Sequence, residues 1–165
     1  MALKNKITFF LLLILSLPVI MSCDNEDDID SIFGDRTWRL INFYTTTDWD
    51  NDHKKTDEVF DKNSEEYKII HSGNDRFYII FQKSGRFEAK GIGSSFQGTW
   101  SADGKKNTFI MSVSSNRPGG SSTAAKIEQQ FYDDLSKSGF YRGDINTIRI
   151  FQSDKKHFMQ FAPPK

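Results

Sequence analysis

Residues 76–100 read RFYIIFQKSGRFEAKGIGSSFQGTW, and their pattern is typical of consecutive β-strands. The aromatic and β-branched run at residues 76–81 predicts a strand, because such side chains suit a pleated, half-buried surface. Residues 83–85 (KSG) are typical of a turn, and residues 86–89 continue beyond it as the hairpin partner. Residues 96–100 predict a further strand. The stretch therefore indicates an antiparallel sheet built from short, consecutive strands.

Outward from this stretch, the chain supplies more strands and a late helix. Ser121 or Ser122 is expected to cap a helix running to about residue 137, and Gly139 offers a left-handed stop. Residues 64–71 could add one or two helical turns before Gly73. The helix has apolar residues at helical spacing, namely Ala124, Ile127, Phe131 and Leu135. Further strands are predicted at residues 37–44, 107–113, 147–152 and 157–161. The predicted class is mainly β, a rolled sheet or small antiparallel barrel with a single late helix packed on it.

The amino terminus has the features of a secretory signal peptide. Lys4 and Lys6 precede an apolar run at residues 7–21, which is shorter than the ~20 apolar residues of a membrane-spanning helix. Residues 20–23 (IMSC) resemble the lipobox of bacterial lipoproteins, in which the cysteine receives a diacylglyceryl group before cleavage. The resemblance implies that residues 1–22 are removed and that Cys23 becomes the lipid-modified first residue. An uncleaved anchor and a structural cysteine are the alternatives.

Acidic residues follow Cys23 and predict a solvated tether over residues 23–35. Five acids, Asp24, Glu26, Asp27, Asp28 and Asp30, repel one another and have little to bury. The run also resembles the acidic signal that sends some lipoproteins to the cell surface. A plain linker fits equally well. In other bacteria an acidic residue after the cysteine favours retention in the inner membrane. The expected location is the bacterial cell envelope, lipid-anchored, with the outer membrane favoured and the cell surface included.

The net charge of the chain limits the classes of partner that can be expected. Residues 1–22 hold two of the 22 basic residues and none of the 22 acidic ones, which leaves the mature chain with a net charge of −2. A nearly neutral chain gives no electrostatic reason to expect nucleic acid as a partner. The expected partners are the membrane, through the anchor, and a protein that the sequence does not identify.

A family resemblance extends over residues 36–163. The hairpin IIFQKSGRFEAKGIG, a helix with the pattern Glu128-x-x-Phe131-x-x-x-Leu135, and the closing strand pair NTIRIFQSDKKHFMQF resemble the META domain, the HslJ-like family of envelope proteins. The resemblance implies a lipocalin-like antiparallel barrel over residues 36–165, with a polar insertion at about 45–66. Three features depart from that family. Gly91-Ile92-Gly93 stands in place of Gly-Cys-Asn, residues 114–123 stand in place of a second cysteine region, and the polar insertion after Tyr44 is long.

The polar insertion contains the candidate partner-binding loop, with Asp48, Trp49, Asp50 and Asp52. The alternating acids imitate the start of a calcium loop, but His53 and Val59 stand where such a loop needs Gly and Glu. We therefore expect no metal there, and an exposed Trp49 among acids could anchor a protein contact.

No recognisable chemistry indicates an enzyme or a cofactor. His53, His71 and His157 lack zinc-type spacing, and Glu128 is expected on the helix surface as an acid of the first turn. Two functions remain. One is a noncatalytic envelope lipoprotein for protein binding or envelope maintenance, which a packed barrel interior would favour. The alternative is a carrier of a small apolar ligand, which an open cavity lined by aromatic side chains would favour.

Overall fold

The computed structural model describes residues 25–51, 55–73 and 75–164. Its strands are β1 (Arg36–Thr46), β2 (Thr56–Glu58), β3 (Tyr78–Phe81), β4 (Arg86–Lys90), β5 (Ser95–Asp103), β6 (Thr108–Val113), β7 (Ser138–Gly143), β8 (Ile148–Gln152) and β9 (His157–Ala162). Its helices are α1 (Asn25–Phe33), α2 (Glu65–His71) and α3 (Thr123–Ser136), with a 3-10 turn at Trp49–Asn51.

Eight strands close into an antiparallel barrel. Strand β1 pairs along one edge with β9 and along the other with β3, and β3 to β9 pair in chain order. Strand β2 adds a short ninth member, since Tyr44 to Thr46 of β1 pair with it beyond the end of β3. The register of β1 against β9 shifts between Leu40 and Asn42, a bulge that bends β1 around the barrel. The mainly β, lipocalin-like barrel predicted from the sequence is confirmed.

The barrel interior is filled by side chains. Alternate residues of each strand point inward, and most of the inward-facing ones are large and apolar. Examples with no more than 2% of their surface exposed are Trp38, Leu40, Ile79, Phe87, Phe109, Ile150, Met159 and Phe161. The interior is therefore a close-packed core.

Helix α1 closes one end of the barrel, which we call the mouth. Its last residue, Phe33, is fully buried, and its ring lies 5.3 Å from Phe81, 4.7 Å from Phe109 and 5.2 Å from Tyr141. The indole nitrogen of Trp38 donates to the carbonyl of Ile32 at 3.1 Å, which ties the helix to β1. Helix α1 is thus part of the barrel core.

Helices α2 and α3 cover the opposite end, which we call the base. The hydroxyl of Ser122 caps α3 by accepting from the amide of Ala125 at 3.2 Å. Ile127, Phe131 and Leu135 are buried from this helix, and the Phe131 ring lies 5.6 Å from Phe77. The predicted late helix, its cap and its apolar face are confirmed. Ser64 caps α2, at the start of the stretch in which the sequence allowed one or two helical turns.

The prediction of a flexible tether over residues 23–35 is wrong from Asn25 onward. Residues 25–33 form α1, and Ile32 and Phe33 are buried in the core. The acidic composition drew attention away from three apolar residues, Ile29, Ile32 and Phe33, of which the last two are buried in the core and Ile29 packs against it. Burial of these side chains offsets the repulsion among the acids.

Two other segments differ from the sequence-based expectation. The polar insertion is not a continuous loop, because β1 extends to Thr46 and both β2 and α2 lie within residues 45–71. Strand β7 was missed, because residues 138–143 (SGFYRG) combine two glycines with charge. Gly139 does not stop α3. The helix ends at Ser136 with Lys137 as its C-cap, and Gly139 lies in β7, where a Cβ atom would approach Ser153 Oγ to 2.7 Å.

Replacing Phe33 tests whether α1 belongs to the barrel. We expect Phe33→Ala to lower the free energy of unfolding by roughly 3–5 kcal/mol, because it leaves a cavity among four aromatic side chains. Ile110→Ala, at a strand position that is 57% exposed, is the control and should change stability by less than about 0.5 kcal/mol. Urea titration measures both. A Phe33→Ala protein as stable as the control would restore the tether interpretation.

Candidate functional site

A row of aromatic side chains crosses the outer wall of the barrel. Tyr44 of β1 stands opposite Phe158 of β9, Phe158 opposite Phe151 of β8, and Phe151 opposite Phe140 of β7. The Tyr44 and Phe158 rings stack at 5.2 Å, and the Phe151 and Phe158 rings lie 4.5 Å apart. Directly opposed aromatic pairs stabilise adjacent strands. We call these four residues the aromatic row.

Trp49 covers this row. The chain leaves β1 after Thr46 and carries Trp49 across β9 and β8, so that its ring lies 4.6 Å from Phe151 and 5.4 Å from Phe140. Phe151 faces outward and is nevertheless fully buried. Trp49 itself is half-buried, so the expectation of an exposed Trp49 is wrong. Contact with the aromatic row removes apolar surface of the Trp49 indole from water, which is favourable. This gain explains why the loop packs against the outer wall of the barrel.

Two cations flank the Trp49 ring. The Arg142 guanidinium lies 4.2 Å from the centre of the ring, and the Lys155 ammonium lies 4.9 Å from it. Both distances suit cation–π attraction. Arg142 also pairs with Asp50 at 3.6 Å, and the Asp50 side chain is 86% exposed. We call Trp49, Asp50, Arg142 and Lys155 the Trp49 surface. It joins an aromatic side chain held in one orientation to exposed charges of both signs.

Asp48 fixes the loop that carries Trp49. One of its carboxylate oxygens accepts from the amides of Asp50 and Asn51 at 3.1 and 3.2 Å, and the other accepts from Lys55 at 3.1 Å. The hydrogen bonds from the side chains of Lys55 and Asn51 lower the pKa of Asp48. Asp48 is thus a capping residue of the 3-10 turn, which orients Trp49.

Two predicted site residues lie outside the part of the chain that the structure describes, namely Asp52 and Cys23, as does His53. The structure brings Asp48, Trp49 and Asp50 together and adds partners that sequence reasoning missed. For Phe151 and Phe158 a signal existed, because a hairpin around residues 153–156 places these two residues opposite each other. The sequence analysis had no corresponding signal for Phe140 and Arg142, because the strand that carries them, β7, was not predicted.

A groove of about 470 Å³ opens at the mouth, beside α1. Its walls are Ser31 and Ile32 of α1, Gly104 and Asn107 beside the turn between β5 and β6, and residues 141–145. The groove lies outside the packed interior, and Ile145 at its rim is 46% exposed. The barrel interior is packed, so this groove is a concave surface on the exterior of the barrel.

The histidines of the described residues have structural partners. The His71 ring nitrogen lies 3.0 Å from the carbonyl oxygen of Ile41, and burial lowers the pKa of His71. His157 Nδ1 lies 2.6 Å from the Asp154 carboxylate. Among the described residues no group of three or more His, Cys, Asp or Glu side chains is arranged to hold a metal ion. No described helix combines the length and apolar character needed to cross a membrane.

Glu128 connects α3 to the turn between β4 and β5. Its carboxylate accepts from the amides of Gly93 and Ser94 at 2.9 and 2.8 Å, and the residue is 6% exposed. Gly91 lies against this carboxylate, and a Cβ atom there would be 2.8 Å from Glu128 Cγ. The expected surface position in the first helical turn is therefore wrong. Glu128 closes the base of the barrel, and it requires glycine at position 91.

Asp134 is a second buried acid of α3. Gln152 of β8 donates to its carboxylate at 2.7 Å, and the residue is 7% exposed. Burial raises the pKa of Asp134 to about 7, against the opposing effects of the Gln152 hydrogen bond and of the charges of Lys137 and His157. The neutral form of Asp134 therefore fits the folded chain better than the ionised form.

Comparisons with known proteins identify a family. Residues 24–163 match the family described as a domain of unknown function, DUF4847. The fold is similar to the crystal structure of a DUF4847 family protein from Bacteroides vulgatus ATCC 8482. That similarity has a TM-score of 0.64 at 25% sequence identity, and it covers 81% of this chain and 96% of the other. No curated protein matches the chain.

The resemblance to the META domain is wrong. The matched family is DUF4847, and its match begins at residue 24, so it includes the helix that plugs the mouth. The quoted features were a hairpin, an amphipathic helix and a closing strand pair. Any small antiparallel barrel with a late helix needs those features to close its sheet and cover one end. The order of these three elements along the chain therefore indicates the architecture but does not identify the family.

Glu128 and Gly91 should be energetically coupled. We expect Glu128→Ala to cost roughly 1–3 kcal/mol, because the amides of Gly93 and Ser94 both lose the side-chain oxygen that accepts from them. Gly91→Ala should also destabilise the fold, because its Cβ atom crowds the carboxylate. The two costs should be less than additive in the double variant, by about 0.5–3 kcal/mol, since the crowded group is then absent. Additive costs in urea titrations would show that the two residues act separately.

Asp134 predicts a pH dependence of stability. The pKa of this group is raised in the folded state from its ordinary 3.8 to about 7, so the folded chain binds the proton more tightly than the unfolded chain. Its contribution is complete below about pH 4 and declines by up to about 1.4 kcal/mol per pH unit as the pH rises toward 7. Asp134→Asn should remove this decline. Unfolding free energies of both proteins across that range are the measurement, and parallel curves would contradict the assignment.

Proposed function

The chain belongs to the DUF4847 family, and we propose that it is a noncatalytic lipoprotein of the bacterial cell envelope that binds a protein partner through the Trp49 surface. Cys23 carries the lipid in this proposal. The barrel provides a rigid platform, and recognition takes place on its outer wall.

The anchor is supported by the sequence around Cys23. An apolar run of signal-peptide length ends in Ile20-Met21-Ser22-Cys23, and this cysteine is the only one in the chain. A diacylglyceryl group and an added acyl chain would hold the protein firmly, because each buried methylene contributes ~0.8 kcal/mol. The anchor places the protein in the envelope, with the outer membrane favoured over the inner one, and the acids at residues 24–30 are compatible with export to the cell surface.

The packed interior of the barrel carries the functional part of the proposal. A carrier of small apolar ligands needs an internal cavity that can accept most of the ligand. Here Phe33, Phe81 and Phe109 occupy the mouth, and Phe131 packs beneath the base. These rings fill the space that a ligand would need. The interior therefore supports a binding platform over a carrier.

The Trp49 surface has the composition of a protein-binding hot spot. Trp and Arg are the residue types most enriched at such positions, and ordering before binding reduces the entropic cost of association. Trp49 is held by the aromatic row on one side and by two cations, and Asp50 extends beyond it into solvent. The partner would offer an apolar contact to Trp49 and a basic group to Asp50.

The anchor is tested by metabolic labelling with a clickable fatty acid. The wild-type protein should be labelled and should co-sediment with membranes, whereas Cys23→Ala should be unlabelled. Mass spectrometry of the N-terminal peptide should give a chain that begins with acylated Cys23. Equal labelling of the variant would overturn the lipid assignment and leave the binding surface to its own test.

The binding surface is tested by crosslinking in the cells that make the protein, followed by mass spectrometry. Asp50→Lys reverses a charge on the Trp49 surface, and Asp75→Lys is the matched control. Both aspartates are highly exposed, at 86% and 74%, and each pairs with an arginine. A partner crosslinked by wild type and Asp75→Lys should be lost with Asp50→Lys. Equal crosslinking by all three proteins would move the site elsewhere. Saturable binding of the apolar dye N-phenyl-1-naphthylamine by the purified protein would instead favour a carrier.

A further inference from the structure

We propose that the mouth of the barrel faces the membrane, with Ile145 in contact with the lipid surface and the base directed away from it. This inference rests on the lipid anchor of the proposed function. It adds a defined orientation and a lipid-contacting residue.

Chain length limits how far the mouth can lie from the anchor. One residue, Asp24, separates Cys23 from the start of α1, so the two Cα steps span at most about 8 Å. The nine residues of α1 extend for about 13 Å at 1.5 Å per residue. An acylated Cys23 is therefore held within about 20 Å of Phe33, which is seated in the mouth.

The joint between α1 and the barrel is fixed by several contacts. Phe33 is fully buried, and Arg36 donates to the carbonyl of Ser31 at 3.0 Å. The amide of Gly34 donates to the carbonyl of Asp30 at 2.9 Å, and the Asp35 carboxylate accepts from the amide of Lys83 at 3.1 Å. A helix held in this way cannot act as a swivel. The barrel should therefore keep one end toward the bilayer.

Ile145 is the apolar residue that this orientation brings to the lipid. It lies in the turn between β7 and β8, at the rim of the groove beside α1. Asp144 fixes the turn by accepting from the amides of Asn146 and Thr147 at 2.7 and 3.1 Å. Ile145 is 46% exposed although the turn holds it in place. A fixed, exposed aliphatic side chain at the anchored end suits shallow contact with a bilayer.

Charge contributes little to the orientation. The turns at the mouth expose Lys83, Lys105 and Lys106, but the same end carries acidic residues, among them Asp30 and Asp35. These opposite charges offset one another near a membrane surface. The orientation should therefore be the same on neutral and on anionic membranes, and it should persist at high salt.

The base and the Trp49 surface gain accessibility from this arrangement. A barrel whose longest strand has 11 residues is roughly 25–30 Å tall when its strands are tilted. The loop that carries Trp49 starts at Thr46, at the end of β1 farthest from α1. A partner could therefore approach the Trp49 surface from the side or from above without meeting the membrane.

The test uses the mature lipoprotein reconstituted in phosphatidylcholine vesicles and, separately, in vesicles of phosphatidylethanolamine and phosphatidylglycerol. Acylation consumes the thiol of Cys23, so a cysteine introduced by Ile145→Cys is the free thiol that accepts a nitroxide spin label. Ser121→Cys, exposed in the loop before α3 at the base, is the matched control. Power-saturation EPR then compares the collisions of each label with oxygen and with a water-soluble nickel chelate.

We expect the label at position 145 to lose most of its collisions with the nickel chelate and to gain collisions with oxygen, relative to the label at position 121, in both vesicle types. Equal nickel accessibility at the two positions would overturn the orientation. An N-terminal peptide without acylation would instead refute the anchor, and that result is read from its mass before reconstitution. Circular dichroism matching wild type confirms that both labelled proteins are folded.

Discussion

Phe33 packs against the aromatic side chains of the mouth, and this contact holds helix α1 to the barrel. Its ring meets Phe81, Phe109 and Tyr141 and lies 5.4 Å from Trp100. These residues come from β3, β5, β6 and β7, so one side chain from outside the barrel joins half of its strands. The same contact makes α1 part of the domain and fixes where a lipid on Cys23 would be attached.

Aromatic residues stabilise both surfaces of the barrel wall. The inward set fills the interior, and the outward set forms the aromatic row across β1, β9, β8 and β7. A strand with apolar side chains on both faces needs a cover on each, because an exposed row would be costly in water and prone to association. The core covers one face and Trp49 covers the other. The protein thus holds Trp49 in place for a structural reason, and the ordering also suits recognition.

The sequence predicted those parts of the fold that have local signals. The hairpin around residues 83–85, the Ser122 cap and the apolar spacing of Ile127, Phe131 and Leu135 were each sufficient, because turns, caps and helical periodicity are set by near neighbours. Strand β7 had no such signal. It pairs with β6 at Thr108–Phe140 and more fully with β8 across the turn at residues 144–147, so its pairing to both neighbours, and not its own residue types, maintains it.

Predictions made from charge alone were wrong where the burial of a few side chains determines the structure. The acids of residues 24–30 indicated a tether, but the burial of Ile32 and Phe33 decides that segment. Glu128 was assigned to the helix surface, although it is buried and its carboxylate accepts from two backbone amides of the turn between β4 and β5. For the candidate site, Asp48, Trp49 and Asp50 were found from the sequence. Their orientation, and the contribution of Arg142 and Lys155, depend on strands that are distant in the chain.

Helix α1 and the barrel should unfold as one cooperative unit, and hydrogen–deuterium exchange measures whether they do. The peptide that contains residues 29–34 should exchange slowly, and added denaturant should accelerate it in parallel with peptides from β8 and β9, because opening the mouth requires unfolding of the core. Full exchange of residues 29–34 at the earliest time, while the β8 and β9 peptides remain protected, would show that α1 is detached and would contradict the account.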